Sequence, residues 1–207
     1  GVASGDPLHD REILWTRLTP NDNAARLEVG WEIASDEDFK QLVNTGKVQT
    51  NAAQDFTVKV DADRLQAGTE YYYRFRFGNT VSVVGQTKTL PQRSDQVKFA
   101  VCSCSNYPAG YFHVYKEMAQ ENNLDVIIHL GDYIYEYGQG GYATDEAKQL
   151  GRIFAADNDK EIIELDDYRK RYALYRTDAD LQVAHQRYPF IVIWDDHELS
   201  NDTWEAG

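Results

Sequence analysis

The segment Asp125–Glu136, DVIIHLGDYIYE, decides the fold predicted for this chain. Residues 126–128 form a short apolar run rich in β-branched side chains, which is typical of a strand buried on both faces. Gly131 and Asp132 follow, and a Gly-Asp pair at this point indicates a chain reversal. The sequence therefore predicts a strand that carries a carboxylate at its carboxyl end.

Two other segments share this design. Phe99–Cys104, FAVCSC, is an apolar run that ends in a thiol, and Phe190–Trp194, FIVIW, is an apolar run followed by DDHE. Ligands of open α/β sheets bind outside the carboxyl ends of the strands. If the three strands are parallel neighbours, we expect Cys104, Asp132 and Asp196 to converge on one site.

The residues between these runs predict the helices of a parallel sheet. Apolar side chains recur at helical spacing over 111–121, and strand–helix–strand within some thirty residues implies a parallel pair. A second helix is expected over Leu165–Tyr175, and a third begins at Thr177 as N-cap and ends before Pro189. Residues 138–158 are Gly-rich and polar, and they indicate an irregular insertion near the mouth of the site.

The first ninety residues have a different pattern. Ser4–Pro7 is a turn cluster, and short segments with alternating polarity then follow: Glu12–Leu18, Arg26–Ile33, Phe56–Val60, Glu70–Phe77 and Val81–Gly85. They predict an antiparallel β-sandwich, and the segment Leu65–Tyr71 fits a tyrosine corner, as in immunoglobulin or fibronectin type III-like domains. With a polar linker over 86–96, we predict a sandwich at 1–91 and an α/β domain at 92–207.

Composition narrows the classes of partner. The net charge of −13 over 207 residues argues against nucleic acid, which needs clustered Lys and Arg, although metal ions could still recruit a phosphate substrate. No stretch approaches the ~20 apolar residues of a transmembrane helix. The start on Gly1 without Met is typical of a processed or engineered chain and is compatible with export. Cys102 and Cys104 are too close for an unstrained disulfide, and Cys102 is expected to be a small buried apolar residue.

Several side chains near the strand ends are of metal-ligand type. The candidate ligands are Cys104, Asp132, Tyr135, Asp196 and, as a weaker candidate, Asn201. Asp132 is a hard anionic ligand suited to bridging two cations, whereas a phenolate and a thiolate are good ligands for ferric iron. His197 could bind a metal or donate to a phosphate oxygen. Metals placed in this way polarise phosphoryl oxygens and lower the pKa of bound water toward ~7.

Other interpretations fit parts of the same pattern. A lone Gly-Asp after a strand is often only a turn, and an Asp-His-Glu run is usually a solvated helix start. The chain could also be a non-catalytic binding or structural protein that uses its sandwich as an interaction module. A flavodoxin or nucleotide-binding domain is disfavoured because no GxGxxG or GxxxxGK[ST] loop is present. A thiol-redox role is disfavoured because the two cysteines lack the two-residue spacing.

Five motifs together resemble a known family. They are GVASGDP…ILWTRL, CSCSNYPAGYFHVY, HLGDYIYE, DYRKRYALYR and WDDHE, and they resemble the PhoD-type alkaline phosphatases of the metallophosphoesterase superfamily. The resemblance implies a fibronectin-like sandwich followed by a four-layer α/β/β/α metallophosphatase domain. It also implies an exported enzyme, secreted, periplasmic or on the cell surface. That enzyme would hydrolyse phosphomonoesters and phosphodiesters with metal-activated water, ferric iron and calcium.

The resemblance also implies roles for individual residues. Cys104 and Tyr135 would be the thiolate and phenolate ligands of iron, and Asp132 the bridging carboxylate. Asp196 would stand where many metallophosphoesterases have an Asn, with His197 beside the substrate phosphate, so both are expected to act in catalysis. The remaining metal ligands of the family and its second sheet should lie beyond residue 207. We therefore expect a truncated metallophosphatase domain, with weak or absent activity in this chain alone.

Overall fold

The computed structural model describes residues 1–20 and 26–204. The strands within this part are β1 (Val2–Gly5), β2 (Glu12–Arg17), β3 (Leu27–Ala34), β4 (Leu42–Thr50), β5 (Thr57–Ala62), β6 (Glu70–Phe77), β7 (Thr80–Val81), β8 (Gly85–Lys88), β9 (Phe99–Cys102), β10 (Val126–His129) and β11 (Phe190–Val192). The α-helices are α1 (His113–Gln120), α2 (Ala147–Leu150), α3 (Leu165–Tyr175) and α4 (Ala179–Arg187). In the described residues, all four α-helices lie after residue 90, where they alternate with β9, β10 and β11.

The first eight strands form two facing antiparallel layers, which we call the N-terminal sheet pair. One layer contains β5, β2 and β1, and the other contains β4, β3, β6 and β7, with β8 also paired to β6. Buried side chains from both layers form one cluster: Val2, Leu14, Val29, Trp31, Ile33, Val58, Val60, Ala62, Leu65, Tyr71, Tyr73 and Phe75. The alternating pattern thus marks the inward face of β2, β3, β5 and β6. The fibronectin-like class of this sheet pair stays a prediction.

The tyrosine corner is confirmed. The backbone N–H of Gln66 donates to the hydroxyl oxygen of Tyr71 at 2.8 Å, across the loop that leads into β6. The strand predicted over Val81–Gly85 is wrong in its bounds, because Ser82 to Val84 separate the short β7 from β8. The hydroxyl of Ser82 accepts from the backbone N–H of Phe75, so this segment turns beside β6 instead of extending along it.

The three apolar runs form adjacent parallel strands, as predicted. β10 lies between β9 and β11, with Cα partners Cys102↔His129 and His129↔Val192 at the carboxyl ends. All three strands therefore end at the same edge of the sheet, and the loops that follow them meet there.

One sheet runs through both parts of the chain. β1 pairs antiparallel with β2 and parallel with β11, where Gly5 and Phe190 are partners. A Cβ atom on Gly5 would lie 2.6 Å from the carbonyl oxygen of Phe190, so only glycine allows this approach. Residues 4 and 5, predicted as part of a turn, are strand residues because a distant strand completes their pairing. The predicted boundary between 91 and 92 stays a prediction.

The helices cover one face of the parallel strands. Side chains of α1, α3 and α4 pack with those of β10 and β11 in a second buried cluster that includes Tyr115, Ile127, Tyr175, Leu181 and Phe190. No helix in the described part of the chain combines the length and apolarity that crossing a bilayer requires. By packing on this face of the sheet, the helices support the strands whose carboxyl ends carry the site loops.

The helix predicted over Leu165–Tyr175 is confirmed with the same bounds. The N-cap predicted at Thr177 is wrong. The carboxylate of Asp178 accepts the backbone N–H groups of Asp180 at 3.0 Å and Leu181 at 3.1 Å, so α4 begins one residue later. Both residue types are good N-caps, and the tertiary ion pair of Asp178 with Arg152 favours the aspartate.

Candidate metal centre at the strand ends

The side chains predicted to converge do so. The thiol of Cys104 donates to Oδ2 of Asp132 at 3.4 Å, and the phenol of Tyr135 donates to the same oxygen at 3.2 Å. Potential ligand atoms of Asp132, Asp196 and His197 all lie within 4.8 Å of one another. Loops from three strands thus bring a thiol, two carboxylates, a phenol and an imidazole together.

The loops that carry these groups have unusual backbone conformations. Cys104 and Asp132 have positive φ angles of 61° and 53°, and Gly131 has a φ of 101°. The two loops bond to each other, because the N–H groups of Cys104 and Ser105 donate to the carbonyls of Gly131 and Asp132. Left-handed non-glycine residues are uncommon and cluster at functional sites. The hydrogen bonds between the two loops stabilise these left-handed backbone conformations.

Two buried glutamates support the site, and the sequence reasoning missed both. Nδ1 of His197 donates to Oε2 of Glu136 at 2.8 Å, which fixes the imidazole and leaves Nε2 as the nitrogen for a ligand. Glu198 accepts backbone N–H groups from Asp132, Tyr133 and Asp195. Both acids lie inside the motifs HLGDYIYE and WDDHE, but only the tertiary contacts show what they hold.

Asn201 contacts Glu136 and Asp202. Its backbone N–H donates to Oε1 of Glu136 at 2.7 Å, and its side-chain amide donates to Asp202 at 2.9 Å. The residue therefore joins the site through Glu136. Its role as a metal ligand stays a prediction.

The charge distribution of the site favours a cation. Oδ1 of Asp132 is buried without a hydrogen-bond partner among the described residues. The ion pairs within residues 1–20 and 26–204 supply no Lys or Arg to Asp132, Asp196 or Glu198. A buried carboxylate oxygen with neither a donor nor a countercharge is costly unless a metal binds it. Thiolate, phenolate and carboxylate donors fit ferric iron, and carboxylate oxygens also fit calcium.

Tyr135 lies between the imidazole of His197 and the carboxylate of Asp132. Its ring lies against the imidazole of His197, with centroids 4.2 Å apart. Burial, helped by the negative charge of Asp132, raises the pKa of the Tyr135 phenol above its ordinary value. The phenol therefore keeps its proton and donates to Asp132, and a phenolate form requires a cation beside it.

Both parts of the chain match known protein families. Residues 99–207 match the family described as PhoD-like phosphatase, and residues 1–91 match the N-terminal domain of PhoD-like phosphatases. This chain belongs to the PhoD-like phosphatase family.

Two relatives show how much of the family's length the chain represents. The chain is 45% identical to alkaline phosphatase D of Bacillus subtilis (strain 168) over 211 residues, which cover 98% of this chain and 35% of that protein. A solved structure of PhoD superimposes with a TM-score of 0.87 and 44% identity, covering 98% of this chain and 39% of the other. The chain thus spans little more than a third of the PhoD relatives that it matches.

Arg171 is a further residue of this PhoD-like chain that the sequence reasoning missed. The side chain has no exposed surface, and its guanidinium donates to the carbonyls of Tyr135 and Tyr137 at 2.6 and 2.7 Å. It also donates to Asn158 and to the carbonyl of Lys160, so α3 fixes both the segment after Asp132 and the insertion. Burial lowers the pKa of this guanidinium from its ordinary value.

A cavity of about 1000 Å³ lies beside the candidate metal centre of this PhoD-like chain. It lies between the N-terminal sheet pair and helices α3 and α4. Its lining residues include Trp15, Tyr172 and Arg176. Cys104, Asp132 and Tyr135 do not line it. The candidate site is therefore defined by converging side chains and not by this cavity.

Proposed function

We propose that this chain forms part of a metal-dependent hydrolase that cleaves phosphomonoesters and phosphodiesters with metal-activated water. The observation that carries the proposal is the buried, unpartnered Oδ1 of Asp132 within a group of metal-ligand side chains. Membership of the PhoD-like phosphatase family supports the reaction class. The relative with 45% identity carries the name alkaline phosphatase D, which is in accord with it.

The proposed cofactors are ferric iron and calcium. Cys104 and Tyr135 would hold the iron, Asp132 would be shared between the metals, and Asp196 would add a further oxygen, with Asn201 as a weaker candidate. Bound cations supply positive charge to a phosphoryl group under attack and make water more acidic. The mutual contacts of Cys104, Tyr135 and Asp132 support the iron assignment.

His197 and Asp196 are proposed to act on the substrate. Glu136 holds the imidazole of His197 through Nδ1, so the ring cannot rotate away from the Asp132 loop without losing a buried hydrogen bond. From this position the imidazole can donate to a phosphate oxygen and orient the ester. The proposed place of action is outside the cytoplasm, and this rests on the resemblance alone.

The proposal is tested by metal analysis combined with an ester assay. We expect the full-length protein that contains this chain to bind iron and calcium and to hydrolyse bis(p-nitrophenyl) phosphate, with activity lost in chelator and restored by the metals. The iron form should show a visible charge-transfer band from the phenolate and thiolate. Tyr135→Phe should remove the phenolate contribution, whereas Tyr72→Phe, in the N-terminal sheet pair, should leave the band unchanged.

Two results would contradict the proposal. An unchanged spectrum in Tyr135→Phe would reject the assignment of this tyrosine as an iron ligand. Absence of both metal uptake and ester hydrolysis in that full-length protein would favour the alternative of a non-catalytic binding or structural protein.

A further inference from the structure

We propose that Glu198 is a positioning residue that fixes the Asp132 carboxylate in its metal-binding place, an inference that rests on the proposed function. Glu198 belongs to the same DHE turn as His197, but its side chain is 3% exposed and faces the protein interior. The metal-ligand cluster of the described residues consists of Asp132, Asp196 and His197. Glu198 thus acts on the cluster through the backbone.

The carboxylate of Glu198 joins two loops. Oε2 accepts the backbone N–H groups of Asp132 at 2.9 Å and of Asp195 at 2.7 Å, and Oε1 accepts that of Tyr133 at 2.6 Å. Asp132 and Tyr133 follow β10, whereas Asp195 follows β11. One side chain therefore links the loops that follow two paired strands and lie more than sixty residues apart in sequence.

The backbone conformation that Glu198 stabilises at Asp132 determines the direction of the Asp132 side chain. Its φ of 53° lies in the left-handed region, which an aspartate adopts at a cost unless contacts hold it there. Two successive N–H groups pointing at one carboxylate fix the peptide planes on both sides of the residue. The Asp132 side chain then has one oxygen toward Cys104 and Tyr135, and its other oxygen has no hydrogen-bond partner within residues 1–20 and 26–204.

The loops that follow β10 and β11 approach each other closely at Gly131 and Asp195. A Cβ atom on Gly131 would lie 2.4 Å from Cβ of Asp195 and 2.5 Å from its nitrogen. Glycine at 131 removes the steric obstacle, and the Glu198 carboxylate supplies the bond that brings the loops together. Local capping explains only the bond to Asp195, because the bonds to Asp132 and Tyr133 reach another strand end.

The test compares Glu198→Gln with wild type, both in the full-length protein that contains this chain, using ferric iron supplied as its citrate complex as the probe. Glutamine keeps the length of the side chain but replaces one oxygen by an NH₂ group, which would face backbone N–H donors. We expect a 10- to 100-fold loss of iron affinity, as is typical when the support of a ligand is removed, and a shifted charge-transfer band. Glu12→Gln is the matched control, because Glu12 is equally buried but lies in the N-terminal sheet pair.

The free energy of unfolding is measured in parallel on metal-free protein. A purely structural role predicts a less stable Glu198→Gln protein whose folded fraction binds iron with wild-type affinity and an unchanged band. That result would overturn the inference. Glu198→Asp keeps the charge on a shorter side chain and serves as the second variant if Glu198→Gln does not fold. It should fall between wild type and glutamine in iron affinity, and wild-type affinity in this variant would also count against the inference.

Amide hydrogen exchange separates this inference from the proposed function. In metal-free wild type, the amides of Asp132 and Tyr133 should exchange at least tenfold more slowly than in either Glu198 variant, while that of Ile127 in β10 is unchanged. If wild type takes up no iron, the proposed function fails, and exchange alone decides whether Glu198 holds the loop. Equal exchange of the two amides in wild type and variants would reject the holding role.

Discussion

Because Glu12 is buried, we expect the free energy of unfolding to fall as the pH rises from about 4.5 to about 8. The side chain in β2 has no exposed surface, and Oε1 accepts from the hydroxyl of Thr87 at 2.8 Å. Oε2 is buried without a partner among the described residues. Burial, helped by the charge of Asp6 and opposed by the Thr87 hydrogen bond, raises the pKa of Glu12 from 4.5 to about 8. A carboxyl group is therefore kept neutral inside the N-terminal sheet pair at neutral pH.

The sign of the effect follows from proton binding. The unfolded chain releases this proton near pH 4.5, whereas the folded chain keeps it until about pH 8. Between these values the folded state binds one more proton, so the free energy of unfolding falls as pH rises. Each pH unit between the two pKa values corresponds to about 1.4 kcal/mol, so the loss reaches about 4 to 5 kcal/mol above pH 8.

Glu12→Gln removes the titration and keeps the shape and the acceptor for Thr87. We expect the variant to be within about 1 kcal/mol of wild type at pH 4.5 and more stable by about 4 kcal/mol at pH 9. Urea unfolding followed by tryptophan fluorescence, at half-unit steps from pH 4.5 to 9, measures this difference. Glu28→Gln, at an exposed position of β3, is the control for the loss of one acidic residue.

The test compares the free energy of unfolding of wild type and Glu12→Gln as a function of pH. Because other titrating groups are common to both proteins, the difference between wild type and Glu12→Gln isolates this carboxyl group. Parallel curves across the whole range would show that Glu12 has an ordinary pKa in the folded protein, and the reasoning from its burial would be wrong.

Two further substitutions test how the parts of the fold are held together. Gly5→Ala places a methyl group against the carbonyl of Phe190 and should cost about 1 to 3 kcal/mol in urea unfolding, with wild-type stability counting against the close approach. Arg171→Lys has too few donors for the five hydrogen bonds of the guanidinium and should cost about 3 kcal/mol or more in the same assay. Increased proteolysis within 138–158 should accompany that loss, and an intact insertion would contradict the anchoring role.

The parallel strands and their ligands were predictable because local signals and global packing agree there. Each run is apolar throughout and is followed by a polar residue at the carboxyl end of its strand. Burial on both faces is wrong for β9 and for the end of β11, because Phe99, Val101 and Val192 are exposed. The tyrosine corner was predictable for a similar reason, because its hydrogen bond spans only residues 66 to 71. Short sequence distance makes such a feature visible in the sequence.

Other elements depend on partners that the sequence does not show nearby. β4 was not predicted because most of its side chains are at least partly exposed and give little alternation. β1 is a strand through its pairing with β2 and, at Gly5, with Phe190 at the other end of the sequence. A Ser-Gly-Asp-Pro sequence favours a turn unless such pairing overrides it.

The supporting residues of the site were missed for the same reason. Glu136, Arg171 and Glu198 have ordinary positions in their motifs, and an acidic or basic residue is usually exposed. What distinguishes them is burial combined with bonds to backbone groups of distant loops. Residue type predicted which side chains could bind a metal, whereas tertiary contacts show which ones hold those ligands in place.

The sheet shared by β1 and β11 has a consequence for synthesis on the ribosome. β1 is made before its parallel neighbour β11, so the edge of β1 that pairs with Phe190 lacks this partner until residue 190 has emerged. Parallel pairing across so long a loop forms slowly, because loop closure must precede the contact. A nascent chain stalled before residue 190 would expose an open strand edge to other chains, which makes prompt completion of translation a protection against aggregation.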